Sequence, residues 1–224
     1  CPACGGSVAE QGGLCAACWD DLVIPSDPSC STCQRPFGEN GPTEGASCAI
    51  CLADPPDHDG IAAGTLYTET ARKLVLSFKH GRRIALAPLL ARMISARLPP
   101  AEGERVIVPV PLHRRRLWER GFNQAEQLCR NLSRATGLKV ETRAVKRTRV
   151  TQTQTLLSRG ERLANMRGAF EPDKVNLNGM RVALVDDVLT TGATTSDCAR
   201  ACKKAGAAEV GVWTLARGLG SPGH

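Results

Sequence analysis

The most informative segment of the chain reads Val182-Ala183-Leu184-Val185-Asp186-Asp187-Val188-Leu189-Thr190-Thr191-Gly192-Ala193-Thr194-Thr195. Four apolar residues that lead into two adjacent carboxylates predict a buried parallel strand with an acidic C-terminal end. A turn rich in glycine and hydroxyl groups comes next, and then a helix. Backbone N–H groups at such a junction are free to bind phosphate, and the helix dipole favours an anion there. Because Asp186 and Asp187 precede this turn and could hold sugar hydroxyls, the segment predicts a site for a sugar 5-phosphate.

Two other phosphate-binding motifs are excluded in this segment. No Gly-Lys-Ser/Thr comes after the turn, as a Walker loop requires, and the glycine spacing is not Gly-x-Gly-x-x-Gly. The alternative is a strand–helix turn whose acidity has no function. The close spacing of the acids, the threonines and the glycine favours the phosphate site.

The composition is that of an ordinary globular chain with a positive charge. Its 224 residues suffice for one or two domains, and the formal net charge of +7 favours an anionic partner. Nucleic acid would qualify, but three Trp, one Tyr and four Phe offer few rings for base stacking, which weakens a general DNA-binding hypothesis. No apolar run approaches the roughly 20 residues that span a bilayer, and no signal peptide is visible. We therefore expect no membrane span and a cytoplasmic location.

Eight of the eleven cysteines form four Cys-x-x-Cys pairs near the start of the chain. A two-residue gap lets both thiolates of a pair face one metal, and two pairs complete a closed tetrahedral zinc site, which is a structural site. A secreted disulfide scaffold is the alternative, but the paired spacing favours metal binding. We therefore predict a double zinc ribbon over residues 1–57 with two structural Zn²⁺ ions.

The zinc ligands can be partitioned in two ways. In the sequential partition, one zinc takes Cys1, Cys4, Cys15 and Cys18, and the other takes Cys30, Cys33, Cys48 and Cys51. In an interleaved cross-brace, the first pair joins the third. The sequential partition is favoured because each half closes locally at a small cost in loop entropy. So short a region cannot build a large core, and metal binding is expected to supply much of its folding energy.

Residues 58–224 are predicted to form a second domain. Apolar patterns predict strands over 61–67, 106–111, 139–145 and 209–215, and helices over 69–79, 86–98, 123–136 and 195–205. A basic turn at 79–83 is either a solvated charge cluster or a phosphate contact. Ligands of open sheets bind at the carboxyl ends of strands, so the cationic loop after 106–111 should face the turn at 190–195. The Thr- and Gln-rich segment 146–170, with a short helix from about Arg159, is either a lid over a ligand or a surface loop.

The acidic–threonine segment resembles the phosphoribosyl pyrophosphate (PRPP) motif of type I phosphoribosyltransferases, which places two acids before Thr-Thr-Gly-x-Thr. Together with Arg120-Gly121-Phe122-Asn123-Gln124, Phe78-Lys79-His80-Gly81-Arg82 and the cysteine pairs, it makes nearly the whole chain resemble the ComF family. Members of that family are relatives of these enzymes linked to DNA uptake in competent bacteria. The resemblance implies an α/β fold, namely a type I phosphoribosyltransferase-like open, mainly parallel sheet with flanking helices, preceded by a small zinc-ribbon domain.

The resemblance also implies roles for individual residues. Asp186 and Asp187 would be the catalytic pair that holds Mg²⁺ and the ribose end of PRPP. The 5-phosphate would lie on Thr190, Thr191, Gly192, Ala193 and Thr194. The pyrophosphate loop would comprise Val110, Pro111, Leu112, His113 and Arg114. Lid or charge contacts would come from Arg116, Arg120, Gln154 and Arg162.

The function implied is Mg²⁺-dependent transfer of phosphoribosyl from PRPP, with pyrophosphate release, to an acceptor that the sequence does not identify. C1 of the ribose becomes cation-like as pyrophosphate leaves, so positioning and neutralisation of the leaving group would carry the catalysis. Two alternatives keep the fold without turnover. One is a PRPP-sensing regulator, and the other is an adaptor that binds single-stranded DNA or the DNA-uptake machinery through the zinc head and a basic face.

Overall fold

We describe the protein from a computed structural model that covers residues 1–38, 41–42, 45–80, 83–98, 104–151 and 159–219. Gln154 of the predicted lid and Gly81 and Arg82 of the predicted basic turn lie outside the described residues. The helices are α1 (Ala16–Asp20), α2 (Ala49–Ala53), α3 (Glu69–His80), α4 (Ala87–Ser95), α5 (Arg114–Arg120), α6 (Gln124–Thr136), α7 (Arg159–Met166) and α8 (Ala193–Lys204), and a 3-10 turn, Ile84–Leu86, precedes α4. The strands are β1 (Gly60–Leu66), β2 (Arg105–Pro109), β3 (Lys139–Val140), β4 (Val145–Arg147), β5 (Phe170–Pro172), β6 (Arg181–Leu189) and β7 (Glu209–Arg217).

Five strands form one parallel sheet in the order β1-β7-β6-β2-β3. The segment that contains the two acids is β6, which pairs with β2 on one side and with β7 on the other. Val182, Ala183, Leu184 and Val185 are at most 1% exposed, as expected for a strand covered on both faces. β6 does not stop at the acids but continues to Leu189, so both carboxylates belong to its C-terminal end.

Helices cover both faces of this sheet. Ala183 and Val185 pack with residues of α3, α4 and α6 on one face, whereas Val182 and Leu184 pack with α8 and the β4–β5 ribbon on the other. This alternation is the two-residue period of a strand, and it makes β6 the centre of both core clusters. The predicted open, mainly parallel sheet with flanking helices is therefore confirmed.

Local signals explain where α6 begins and ends. The Asn123 side chain accepts a hydrogen bond from the backbone N–H of Ala125 at 3.1 Å, which caps the helix start. Gly137 ends the helix at φ 75°, a conformation that glycine adopts without strain. Leu128 and Leu132 on its inner face are fully buried.

Two expectations for the chain between β2 and β5 were wrong. The segment after β2 is a helix, α5, rather than a loop, because His113 accepts from the Arg115 N–H and Gly121 ends the helix at φ 80°. The predicted strand over 139–145 is divided: Lys139 and Val140 extend the main sheet, and Val145 starts the antiparallel pairing of β4 with β5. Of the basic turn predicted at 79–83, Lys79 and His80 are the last residues of α3, and residues 81 and 82 lie outside the described part of the chain.

The cysteine-rich head accepts hydrogen bonds from backbone N–H groups of β1. The Leu66 N–H donates to the Val23 carbonyl at 2.7 Å, and the Ala63 N–H donates to Gln34 Oε1 at 2.9 Å. These bonds attach the head to the sheet along β1, an edge strand of the main sheet. In the part of the chain that the structure describes, no helix has the length and apolar character needed to cross a bilayer.

Candidate functional site

A cleft of about 850 Å³ opens at the carboxyl ends of β2 and β6. The predicted site residues that line it are Val110, Leu112, Arg116, Arg120, Arg162, Asp186, Asp187, Thr190 and Thr194. A smaller adjoining pocket is lined by Asp186 and by residues 188–195. The two acids, the threonine turn and part of the segment after β2 therefore come together, as expected from the carboxyl ends of neighbouring parallel strands.

The two acids have different surroundings. Asp187 is buried, and its Oδ1 lies 3.0 Å from the Nζ of Lys79. Asp186 Oδ1 accepts the backbone N–H of Asp187 at 2.9 Å. Burial and repulsion from Asp187 raise the pKa of Asp186 to about 7, although Lys79 opposes the shift. A cation in the cleft would therefore favour the charged form of Asp186.

Lys79, which the sequence placed in a basic turn that is either a solvated charge cluster or a phosphate contact, lines the cleft as the ion-pair partner of Asp187. Burial alone would lower the pKa of its ammonium group, but the carboxylates of Asp187 and Asp186 outweigh burial and raise that pKa. Lys79 therefore stays charged and neutralises part of the acidic pair. A helical pattern of apolar residues ends at Phe78. This pattern could have identified Lys79, because it places the next residue at the end of a helix that packs on the sheet.

The predicted phosphate turn joins β6 to α8. Gly192 has φ 80°, which glycine tolerates, and it directly precedes the first residue of α8. The Thr195 Oγ1 and the Ser196 N–H both donate to the Gly192 carbonyl, at 3.0 Å and 2.8 Å. Groups in the first turn of α8 thus hold Gly192 in place. The turn also lies at the N-terminal end of a 12-residue helix, which suits an anion.

Only part of the predicted pyrophosphate loop lines the cleft. The Val110 N–H donates to the Val185 carbonyl at 2.9 Å, and Asn123 Nδ2 donates to the Val110 carbonyl at 3.1 Å. Leu112 also lines the cleft. Pro111, His113 and Arg114 are not among the lining residues, and Arg114 is exposed as the first residue of α5.

Arg147 is a cleft residue that sequence reasoning missed. It lies on β4, its guanidinium is 5.4 Å from the ring centroid of Phe170, and its buried Nε has no hydrogen-bond partner among the described residues. Burial and the nearby guanidinium of Arg116 lower the pKa of Arg147. Its Nη2 donates to Thr151 Oγ1 and to Met166 Sδ, which are uncharged, so the guanidinium can still gain from an anion in the cleft. No local pattern distinguishes Arg147 from the other basic residues around it.

The eight paired cysteines form two compact tetrads. The Sγ atoms of Cys1, Cys4, Cys15 and Cys18 lie within 4.8 Å of one another, and so do those of Cys30, Cys33, Cys48 and Cys51. This grouping is the sequential one. The Sγ–Sγ distances of 3.6 Å for Cys4–Cys15 and 3.8 Å for Cys33–Cys48 fit the separation of about 3.8 Å between thiolates around one tetrahedral zinc.

In the second tetrad, hydrogen bonds favour a thiolate at Cys30, whereas burial raises the pKa of the Cys33 and Cys51 thiols. Burial opposes ionisation of Cys30, yet the backbone N–H groups of Cys48, Cys33 and Thr32 outweigh it and lower the pKa of the Cys30 thiol to about 6. A thiol that ionises this readily is a good zinc ligand. The geometry and chemistry of the tetrads thus support two structural zinc ions.

An open parallel sheet, an acidic–threonine turn at its carboxyl end and two cysteine tetrads in the head define a phosphoribosyltransferase-like protein with a double zinc ribbon. The double zinc ribbon domain family matches residues 1–53. DNA utilization protein YhgH of Escherichia coli K12 is 34% identical over 223 residues, which cover 92% of this chain and 98% of that protein. The chain therefore belongs, together with this relative, to the ComF family.

Two further similarities complete the comparison. Competence protein F of Haemophilus influenzae is 34% identical over 226 residues, which cover 97% of this chain and 96% of that protein. A solved structure of glutamine PRPP amidotransferase from Bacillus subtilis, in complex with ADP and GMP, is 20% identical, covers 56% of this chain and 25% of its own, and has a TM-score of 0.38.

Proposed function

We propose that this protein binds PRPP with Mg²⁺ and transfers its phosphoribosyl group to an acceptor, releasing pyrophosphate. One observation carries the proposal. Asp186 and Asp187 lie at the carboxyl end of β6 and share a cleft with Thr190 and Thr194. A pair of carboxylates beside a helix-start anion site matches the two ends of a sugar 5-phosphate.

The acidic pair fits the chemistry of a magnesium site. Mg²⁺ prefers carboxylate oxygens together with phosphate oxygens of the substrate, and both carboxylates face the cleft. When bound, the metal would offset charge on the departing pyrophosphate. Asp186 and Asp187 would hold that metal and the ribose hydroxyls, while the turn at 190–194 would hold the 5-phosphate. Arg116 and Arg120 would add positive charge at the pyrophosphate end.

The proposed reaction needs no nucleophile from the protein. The bond from ribose C1 to the pyrophosphate oxygen breaks with its electron pair leaving on pyrophosphate. A lone pair of the acceptor forms the new bond to C1, and the acceptor gives up a proton. The cleft residues act by holding the reacting groups in line and by neutralising the leaving group.

Calorimetry with PRPP, with and without Mg²⁺, tests this proposal. We expect Mg²⁺-dependent binding that is lost in Asp187→Asn and retained in Asp20→Asn, a charge-matched change of an exposed acid in the head. Pyrophosphate release on addition of candidate acceptors then separates an enzyme from a PRPP sensor. Zinc-replete protein that shows no PRPP binding would rule out the sugar-phosphate site.

A specific observation also favours single-stranded DNA as a second candidate ligand. Trp118 on α5 is 93% exposed, and Arg114 and Arg115 on the same short helix are exposed as well. An exposed indole among arginines provides a stacking surface and phosphate contacts. The relatives are named for DNA utilization and competence, which agrees with a role in DNA uptake.

Paired tryptophan variants test this second candidate. Trp118→Ala should weaken binding of a labelled single strand, whereas Trp19→Ala, which removes a half-exposed indole from the head, should not. The affinity of the wild type should fall as salt is raised. Equal affinity of the two variants would eliminate α5 as the binding surface.

With either ligand, we propose that the chain divides into two domains, residues 1–57 and 58–224, and that the protein has a cytoplasmic location.

A further inference from the structure

Arg217 is a buried cation that contacts both the head and the phosphate turn. It ends β7 and is 5% exposed. Its Nε donates to the Cys33 carbonyl at 2.9 Å, and its Nη1 donates to the carbonyls of Leu189 at 3.3 Å and Thr190 at 2.6 Å. A third contact of the same nitrogen is with the Gly218 carbonyl. One guanidinium thus joins the backbone of Cys33, in the second tetrad, to the last residue of β6 and the first residue of the turn.

The charge of Arg217 is compensated by this arrangement. Within the described parts of the chain, no carboxylate forms an ion pair with it. Carbonyl oxygens accept the hydrogen bonds of its Nε and Nη1, and four thiolates around one Zn²⁺ would carry a net charge of about −2 beside it. A filled second tetrad would therefore stabilise the buried guanidinium in the position where it contacts the turn.

Further contacts hold the same corner of the molecule together. The Gly218 N–H donates to the Leu189 carbonyl at 2.8 Å. A Cβ at position 218 would lie 3.2 Å from Thr190 Cγ2, so the end of β7 packs closely on the turn. The first tetrad is placed differently, since Ala3 and Leu14 of its ribbon pack against the helices on one face of the sheet.

We propose that Arg217 is a positioning residue that couples the second zinc ribbon to the sugar-phosphate site. It would hold the backbone of the turn at 190–194 in the conformation that receives the 5-phosphate, and zinc at Cys30, Cys33, Cys48 and Cys51 would keep it there. The effect on PRPP rests on the proposed function, whereas the ordering of the turn does not.

Two arginine variants test the contact. Arg217→Gln removes the positive charge and some of the N–H donors of the guanidinium, whereas Arg217→Lys keeps the charge. The matched control is Arg97→Gln, because Arg97 also donates to a carbonyl of the head, that of Pro25, at 2.8 Å, but has no hydrogen bond to the turn among the described residues. Hydrogen–deuterium exchange over 189–195 is measured in each folded, zinc-replete variant, together with PRPP affinity.

We expect faster exchange at 189–195 and about tenfold weaker PRPP binding in Arg217→Gln, with partial recovery in Arg217→Lys and no change in Arg97→Gln. Zinc content, measured with a chelating dye, should remain two per chain in all three. Unchanged exchange in Arg217→Gln would overturn the proposal. If the wild type binds no PRPP, the proposed function fails while the exchange result still decides the role of Arg217.

Zinc-site variants provide a second test that does not alter Arg217. Cys30→Ser should lose the second zinc, and Cys4→Ser should lose the first. Cys30→Ser is expected to increase exchange at 189–195, and to weaken PRPP binding, about tenfold more than Cys4→Ser does. Equal effects of the two variants on the turn would contradict the coupling, even if both variants bind PRPP less tightly than the wild type.

Discussion

Adjacent residues of a strand point to opposite faces of the sheet, and the two acids of β6 are separated in this way. Asp187 contacts Lys79 of α3, on one face of the sheet, whereas the charge of Asp186 is felt by Arg147, which packs with Phe170 on the other. The strand end therefore presents one carboxylate to each flanking layer. A single dication at this end could use both.

Replacement of Lys79 by Met should destabilise the protein, because it leaves the acidic pair without its lysine partner. Removing one partner of a buried ion pair leaves an uncompensated charge, and we expect a loss of about 3 kcal/mol in the free energy of unfolding. Mg²⁺ should then stabilise Lys79→Met more than the wild type, because the metal would take over the charge of the lysine. Thermal unfolding with and without Mg²⁺ measures both effects. A variant as stable as the wild type would contradict the inferred role of Lys79.

His58 predicts a pH dependence of stability. Burial, together with Arg217 and Lys203 and against the opposing charges of Asp59 and Asp57, lowers its pKa from 6.5 to about 4. Well above the unfolded-state value the imidazole is neutral in both states. As the pH falls towards 4, the unfolded chain binds a proton that the folded protein does not, so stability is lost.

The expected loss through His58 is about 1 kcal/mol between about pH 7.5 and about pH 5.5. Denaturant unfolding at the two pH values measures it. His58→Gln removes the titrating group, so its stability should depend less on pH by that amount. Zinc content is followed in parallel, and the hypothesis fails if the two proteins lose stability equally.

At the scale of elements, the region from β4 to β5 helps to cover the sheet and to line the cleft. β4 and β5 pair in a ribbon that covers the α8 face of the sheet, and α7 between them places Arg162 in the cleft. The part at 152–158 lies outside the described residues. The alternative of an ordinary surface loop therefore does not hold for the described part, while lid movement stays a prediction.

Arg147→Gln should weaken PRPP binding about tenfold without destabilising the protein, because it removes a poorly compensated cation that an anionic ligand would use. The matched control is Arg149→Gln, since Arg149 lies two residues away and donates to the carbonyls of Asn165 and Arg167. Calorimetry and thermal unfolding of both variants provide the test. Equal affinities would exclude Arg147 from the site.

At the scale of the whole molecule, the two halves of the head differ in how they meet the body. The second tetrad is 0–8% exposed and packs against Ile61 of β1. In the first tetrad Cys4 is exposed and Cys1 and Cys15 are partly exposed. Two zinc sites of the same chemistry therefore have different access to solvent.

This difference predicts two-phase zinc release. A chelating dye should remove one zinc quickly from the exposed tetrad and the other slowly, because access to the second requires local opening. Cys4→Ser should abolish the fast phase and Cys30→Ser the slow phase. A single phase that accounts for both ions would show that the sites exchange alike.

The strands, helices and metal sites were predictable where the signal is local. β6 was predicted from four apolar residues and α6 from a helical period with a glycine stop, and the cysteine grouping was predicted from the short loops between pairs. α5 was missed, because three consecutive arginines hide a helix whose evidence is a histidine cap and a terminal glycine. The divided strand at 139–145 was missed because strand pairing depends on partners more than on propensity.

The class of site that we propose follows from one contiguous segment, since its acids, threonines and glycine indicate the chemistry through their spacing. Packing between distant segments was needed to identify the side chains that complete the site. Lys79, Arg147 and Arg217 lie in different elements and meet the end of β6 because of the strand order β1-β7-β6-β2-β3 and the layers that cover it. The period of apolar residues and the spacing of a motif give information on residues that are close in sequence. The charge balance of a cleft depends instead on contacts between segments far apart in sequence.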